Sequence, residues 1–195
     1  DSGAFMQNPL TVTPTTGKRF NIDPWITYYD KHRNKHSLLT RYYNVSNSFE
    51  DDPDKNNASQ SYYGEYQFQK QFNNGLNWIV GLVGKYGSTV ANLYGDHSSS
   101  NIAAFTQLDY KFFSRLSASL GVRWEYHTLD NSEQESGTVV RAGLNYQAAQ
   151  KTFIRASFGQ GYRFPSIAEK YTATQLGSVK IFPNPDLRSE TGWST

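Results

Sequence analysis

Leu116-Ser-Ala-Ser-Leu-Gly-Val-Arg-Trp-Glu-Tyr-His127 is the stretch that decides the fold. Leu116, Ala118, Leu120, Val122, Trp124 and Tyr126 fall on one side, and Ser117, Ser119, Gly121, Arg123, Glu125 and His127 on the other. Successive side chains of a strand point to opposite faces, so a strict period of two predicts a strand lying between an apolar and a polar environment.

The same reading extends outward in both directions. Tyr62, Gly64, Tyr66, Phe68, Lys70 and Phe72 oppose Tyr63, Glu65, Gln67, Gln69 and Gln71, and Leu76, Trp78, Val80, Leu82 and Tyr86 line the next strand. Ile102 to Phe112, Thr138 to Tyr146 and Ile154 to Phe158 alternate in the same way. Upstream, Ser37 to Val45 reads as a strand, and Phe20, Ile22, Ile26 and Tyr28 share a side, with Pro24 expected to weaken the ladder because it has no N–H. Residues 1–19, rich in Thr, Gly and Pro, read as a loop or tail, and residues 20–195 as one unit.

Connections alternate in kind. Asn73–Gly75, Phe113–Arg115 and Ala148–Gln150 are tight turns, whereas Asn47–Ser59, Gly87–Ser99 and Leu129–Ser136 read as long polar loops. The expected fold class is therefore all-β, an antiparallel up-and-down meander with one short-turn end and one long-loop end. The predicted strands run about 11 to 13 residues. At roughly 3.3 Å per residue and a tilt near 40°, that length spans about 25–30 Å, the hydrocarbon thickness of a bilayer.

Composition narrows the function classes. Hydrophobic residues make up 37% and aromatics 15%, with 14 Tyr and 12 Phe, a skew that suits strands and membrane-interface girdles. A net charge of +2 without a clustered basic face gives no reason to expect nucleic acid as a partner. The chain has no Cys, which removes disulfides, thiolate metal sites and cysteine nucleophiles together. No apolar run approaches the roughly 18 residues of a membrane helix, and Asp1 to Leu10 lack signal-peptide regions; neither point bears on a β-barrel. The His32/His36 spacing falls in a predicted polar turn rather than on a helix face, so no metal is expected there. No phosphate loop, triad order or spaced carboxylate pair points to an enzyme, and no cofactor is implied.

Gly161-Tyr-Arg-Phe-Pro-Ser-Ile-Ala-Glu169 closely resembles the Gly-Tyr-Arg-(Ala/Phe)-Pro-Ser-(Leu/Ile)-x-Glu segment of TonB-dependent outer-membrane receptors. Asn184-Pro-Asp-Leu-Arg-Ser-Glu190 matches the Asn-Pro-x-Leu-x-(Pro/Ser)-Glu that follows it in that family, and Asn21 to Tyr29 looks like one of its barrel strands. The resemblance implies part of a transmembrane β-barrel of about 22 strands in the bacterial outer membrane. It also implies a plug inside, outer-membrane lipid around it, the TonB protein as energising partner through the plug region, and a scarce small-molecule chelate as cargo, such as a ferric siderophore. About eight complete strands and a ninth begun are expected, with neither plug nor TonB-contact motif in these residues, so the chain reads as a barrel fragment. The alternative is a non-transporting barrel or a soluble β-sheet binding protein such as an adhesin, which predicts solubility without detergent.

In such barrels short turns are periplasmic and long loops extracellular. Arg163 to Ser189 then becomes an extracellular connection of about 27 residues, where Tyr162, Arg163, Glu169 and Tyr171 are candidate ligand contacts. Against this stands an architectural role, in which the prolines stiffen the loop and Arg163 pairs with Glu169. Arg123, Arg141 and Arg155 share the polar face with Glu125, Asp109 and Glu65. A basic patch for an anionic chelate or an acidic plug competes there with a mixed-charge lumen network.

Overall fold

The computed structural model describes residues 14–130, 132–176 and 178–195. Its strands are β1 (Thr15–Ile22), β2 (Trp25–Tyr29), β3 (Lys35–Phe49), β4 (Asn57–Gln71), β5 (Leu76–Ala91), β6 (His97–Phe112), β7 (Leu116–Leu129), β8 (Glu133–Ala149), β9 (Thr152–Arg163), β10 (Thr174–Leu176), β11 (Val179–Ile181) and β12 (Glu190–Ser194). One short α-helix, α1 (Ile167–Tyr171), lies between β9 and β10, and a single 3-10 turn, Pro53–Lys55, lies between β3 and β4.

All but β10 and β11 belong to one 10-stranded sheet in the order β1-β3-β4-β5-β6-β7-β8-β9-β12, every neighbour antiparallel, with β2 also on β3. Strands adjacent in sequence are adjacent in space, which is the predicted meander. The sheet is open, with β1 and β2 at one edge and β12 at the other.

β1 and β2 occupy a single strand position. Ile22 faces Tyr42 and Trp25 faces Leu39, so the register continues unchanged across Asp23 and Pro24. Pro24 cannot donate to the ladder, yet its carbonyl accepts the Thr40 N–H at 2.9 Å, and Arg41 grips the Asp23 carboxylate at 2.6 and 3.1 Å. The expected weakness at Pro24 is thus a lapse of two residues that leaves the pairing in step.

Four expectations are corrected. The opening segment is not loop up to residue 19, because β1 starts at Thr15; residues 1–13 lie outside the described residues. The polar turn expected to reach His36 ends at Asn34, and His36 sits in β3 with a ring nitrogen 2.7 Å from the Tyr66 hydroxyl. The long loops are short: residues 50–56, 92–96 and 130–132 connect strands that run 14 to 17 residues from β3 to β8. Runs such as Ser98-Ser-Ser-Asn101 look like loops because neither face is apolar, but a ladder of backbone hydrogen bonds continues through polar residues once the hairpin fixes the register. Finally, the connection expected as a loop from Arg163 to Ser189 carries, among its described residues, a short helix and the β10–β11 pair.

Burial is inverted relative to a soluble sheet. Ser37, Gly81, Val83, Ala91, Ala103 and Leu129, the buried strand residues, all lie on the face that carries Glu65 and Arg123. On β4 to β8 every exposed large hydrophobic lies on the opposite face, among them Leu82 at 60%, Ile102 at 58% and Leu144 at 53%. Gly81 belongs to the polar inner face, where an added Cβ would meet the Phe105 ring and the Tyr66 carbonyl oxygen at 2.8 Å. Total accessible surface is 14290 Å², against about 9,400 Å² for a compact monomer of this mass. An apolar face with no protein against it contributes to the excess, together with β1, β2, β9 and β12, which are exposed on both faces.

Aromatic rings border that face. Phe20, Tyr42, Tyr62 and Tyr86 follow one another across four strands at centroid distances of 6.1, 5.0 and 6.4 Å. Nearer the short turns, Tyr28, His36, Phe68 and Trp78 make a second row at 5.8, 5.2 and 6.1 Å. Two aromatic rows flanking an aliphatic band match the girdles of a transmembrane barrel.

Candidate functional site

Segment 164–189, at the long-connection end, folds back over the inner face. Helix α1 starts where Ser166 accepts the Glu169 N–H at 3.3 Å while Glu169 accepts the Ser166 N–H at 2.8 Å, a reciprocal cap that satisfies donors the first turn leaves open. The Ser166-x-x-Glu169 pattern signals this start in the sequence. Arg163, the last residue of β9, reaches Glu169 at 2.8 Å and Glu190 of β12 at 3.2 Å, so one guanidinium ties both ends of the segment together. The Ser166 backbone N–H, the Arg163 guanidinium and the Ser166 hydroxyl, in that order, pull the Glu169 carboxyl down to about 2.

The far side of α1 is pinned to the neighbouring hairpins. Lys170 is 2% exposed and pairs with Glu133, whose other oxygen accepts from the Tyr171 hydroxyl at 3.0 Å. Burial, reinforced by that carboxylate, pushes the Tyr171 hydroxyl up to about 12. The Tyr171 ring stacks on His97 at 3.9 Å and 12°. His97 in turn meets Asp130 at 2.6 Å and the Tyr94 carbonyl at 2.8 Å. Asp130 adopts φ 51, a left-handed turn conformation that Asp tolerates, and its carboxylate also takes the Ser98 N–H at 2.8 Å. Ser189 donates to Glu135, and the Asn184 N–H to the Lys170 carbonyl at 2.7 Å. Residues from three connections are thereby joined in one folded cover.

Under the cover lies a recess of about 610 Å³, lined by Tyr63, Lys85, Asn101, Arg123, His127 and Phe164 among others. Phe164 stacks on His127 at 4.4 Å, and Tyr162 meets Phe164 edge-on at 4.7 Å. The Tyr162 ring lies against Gly137, where an added Cβ would stand 2.7 Å from it, and its hydroxyl donates to the Ser136 carbonyl at 3.3 Å. Lys85 has no ion-pair partner among the described residues, so the recess offers one uncommitted cation beside several aromatic rings.

The inner-face charges form short local contacts. Arg123 pairs with Glu125, which also accepts from Asn101 at 3.2 Å, and Arg123 sits over the Phe105 ring at 5.8 Å. Glu65 accepts from Tyr63. Asp109 accepts from Asn77 at 3.2 Å and Gln107 at 2.9 Å, and Arg155 donates to Asn145 at 3.2 Å. Glu65, Arg123 and Arg141 line a second recess of about 730 Å³, while Asp109 and Arg155 line a third of about 470 Å³ near the short turns.

Of the four rim candidates, Tyr162 and Arg163 line the covered recess, whereas Glu169 and Tyr171 are committed to holding the cover. Sequence reading missed Lys170, His97, Glu133 and His127. Only the capping pattern announces that α1 exists; nothing local marks Lys170 as buried.

A protein-family comparison matches residues 6–195 to the model described as TonB dependent receptor-like, beta-barrel. No curated protein matches the chain at significance. An antiparallel meander with an apolar outer face and aromatic girdles is what such a barrel wall requires. The chain belongs to the family of TonB-dependent receptor-like β-barrels.

Proposed function

We propose that this barrel wall serves an outer-membrane receptor that captures a scarce metal chelate, of the ferric siderophore class, and imports it with energy delivered by TonB. The observation that carries this reading is the recess beneath the 164–189 cover, with Lys85 and Arg123 beside Tyr63, His127 and Phe164. Anionic oxygens of a chelate would meet the cations, and its flat organic arms the rings. Tyr162 and Arg163 border the recess from the cover side, while the Arg163–Glu169–Glu190 contacts hold that side in place. Capture is the step these residues can perform; release inward belongs to a plug and its partner.

Deleting the encoding gene and following uptake of iron-55 as a panel of ferric chelates tests the proposal. Loss of uptake of one chelate, restored by the intact gene, supports it. Unchanged uptake of every chelate, with growth on free iron also unchanged, overturns it.

A further inference from the structure

The seam between β8 and β9 is closed over only part of its length. Pairing runs from Thr152 facing Ala149 up to Gly159 facing Arg141 and stops there, although β8 continues to Glu133 and β9 to Arg163. Each strand keeps its other neighbour throughout. The upper part of β8 stays in step with β7 as far as Glu133 facing Leu129, and Gly159 to Arg163 of β9 stay in step with β12.

Two side chains stand where the missing ladder would run. Alternate residues of an antiparallel strand direct both backbone groups to the same neighbour. The Gln147 N–H goes to the Arg115 carbonyl on the β7 side, so the even-numbered residues of upper β8 turn toward β9. There the Gln160 side-chain oxygen takes the Val140 N–H at 3.0 Å, and the Tyr162 hydroxyl donates to the Ser136 carbonyl at 3.3 Å. Thr138, between them, has no β9 residue opposite. The Tyr162 ring lies in the split against Gly137 and meets Phe164 edge-on at 4.7 Å. Tyr162 borders the covered recess on one side and, on the other, a space of about 630 Å³ lined by Gln134, Ser136 and Leu187 among others.

Continuing the existing register defines the closed alternative: Val140 would face Gln160, Val139 would face Gly161, and Thr138 would face Tyr162. Paired strands lie about 4.8 Å apart, too close to hold a phenol ring between them. The seam is therefore either split with Tyr162 inside it, or zipped with Tyr162 swung to the outer face beside Thr138, the side that carries Trp124. Zipping gains the backbone bonds of Thr138, Val140, Gln160 and Tyr162 and closes into the neighbouring space. Splitting keeps the ring on Phe164, and a half-withdrawn ring has neither set of contacts.

We infer that the upper β8–β9 seam is a two-state element of the barrel wall with Tyr162 as its wedge, and that a chelate held in the recess selects the split arrangement. The inference rests on the capture reading above. A bound molecule meets the Tyr162 ring beside Phe164 only while the seam is split, and that difference in contact shifts the balance. Zipping withdraws one wall of the recess, so the state of the seam sets whether the recess can hold its cargo.

The test locks the seam and also reads it directly. Residues 1–195 contain no Cys, so a pair engineered here has no competing thiol among them. Val139→Cys with Gly161→Cys brings two Cα atoms within the roughly 5.5 Å that a disulfide needs only in the zipped register. Oxidation of whole cells making the full-length receptor is expected to link the pair, and reductant to release it. Iron-55 is offered in turn as a ferric trihydroxamate, a ferric tricatecholate and ferric citrate; the link is expected to lower uptake of the imported chelate about tenfold. Hydrogen exchange of the purified receptor needs no chelate. The Thr138 amide is expected to exchange about a hundredfold faster than those of Ala142 and Leu144, which point the same way within the ladder. Tyr162→Ala should slow it toward theirs, and Tyr162→Phe, which keeps the ring, should leave it fast. A pair that never links, uptake untouched by the link, or a Thr138 amide that Tyr162→Ala leaves as fast as before overturns the inference. If exchange follows the expected order but the unmodified receptor imports none of the three chelates, the capture reading and selection by a chelate fall together, while the wedge stands.

Discussion

Lys170 on helix α1 is buried against Glu133, 37 residues upstream at the start of β8. The two ends of this pair are not equivalent, since the lysine side chain is 3% exposed and the glutamate 37%. Removing the glutamate strands a buried charge, while removing the lysine frees a carboxylate that water can reach.

Glu133→Ala should therefore loosen the cover more than Lys170→Met does. Leaving a buried cation unpaired costs about 3 kcal/mol or more, and a hydrophobic replacement of the cation much less. Hydrogen exchange of amides 167–190 reads the difference directly. Equal exchange in the two variants would show that the pair does not hold the helix.

Acid should release the same segment in a defined window. Glu169 titrates at about 2 in the folded chain against an ordinary 4.5. A depressed carboxyl contributes stability that is fully present above 4.5 and is lost as pH falls through 2. Pepsin, active across that range, should cut within 164–189 only near the low end in the unmodified protein. In Glu169→Gln, cutting should already occur at pH 4.

Gly81→Ala and Gly137→Ala both add a methyl where none fits, but they differ in what must yield. At Gly81 the obstacle includes the Tyr66 backbone, at Gly137 only the Tyr162 ring. Overpacking of this kind costs about 1–3 kcal/mol, with Gly81 expected at the upper end. Urea unfolding in detergent measures both. Truncating Tyr162 to Ala should rescue Gly137→Ala, and no truncation at position 162 should help Gly81→Ala.

Leu82→Arg, on the outer face, should impair insertion by about 2–4 kcal/mol in the middle of the belt, whereas Gln107→Arg on the inner face should be tolerated. Folding yield into lipid vesicles distinguishes them. Similar yields would contradict the assignment of faces.

Lys85→Ala and His127→Ala should each weaken chelate capture about tenfold while leaving the amount of folded receptor unchanged. Equilibrium binding of the radiolabelled chelate to whole cells checks this. A variant that keeps full affinity would remove its residue from the capture surface.

Much of the fold was legible from residue types, because the period of two survives wherever the faces meet unlike surroundings, as in Leu116 to His127. Strand ends were not. Beyond Tyr86 and Tyr126 the alternation lapses, since Val90 is apolar on the outer face and Ala91 and Leu129 on the inner, while Ser88, Thr89 and Thr128 give no pattern to follow although their ladders persist. At the candidate site the Gly-Tyr-Arg-Phe-Pro-Ser stretch announced a rim, and the expected Arg163–Glu169 contact is present. Its inner partners escaped notice because His97, His127 and Glu133 come from hairpins far away in sequence and carry no local mark of shared position.

The inverted burial also predicts how such a chain accepts change over evolutionary time. Outer positions such as Leu82 and Leu144 are constrained by hydropathy alone and should drift among aliphatic residues of different shapes, since fluid lipid imposes no fixed mould. Inner positions such as Gly81, Ala103 and Val83 are constrained by volume and should resist even a single added methyl. In a soluble domain the face that must be oily is also the face that must fit. Here oiliness and fit are separate requirements on opposite sides of one sheet, so selection can adjust either without disturbing the other.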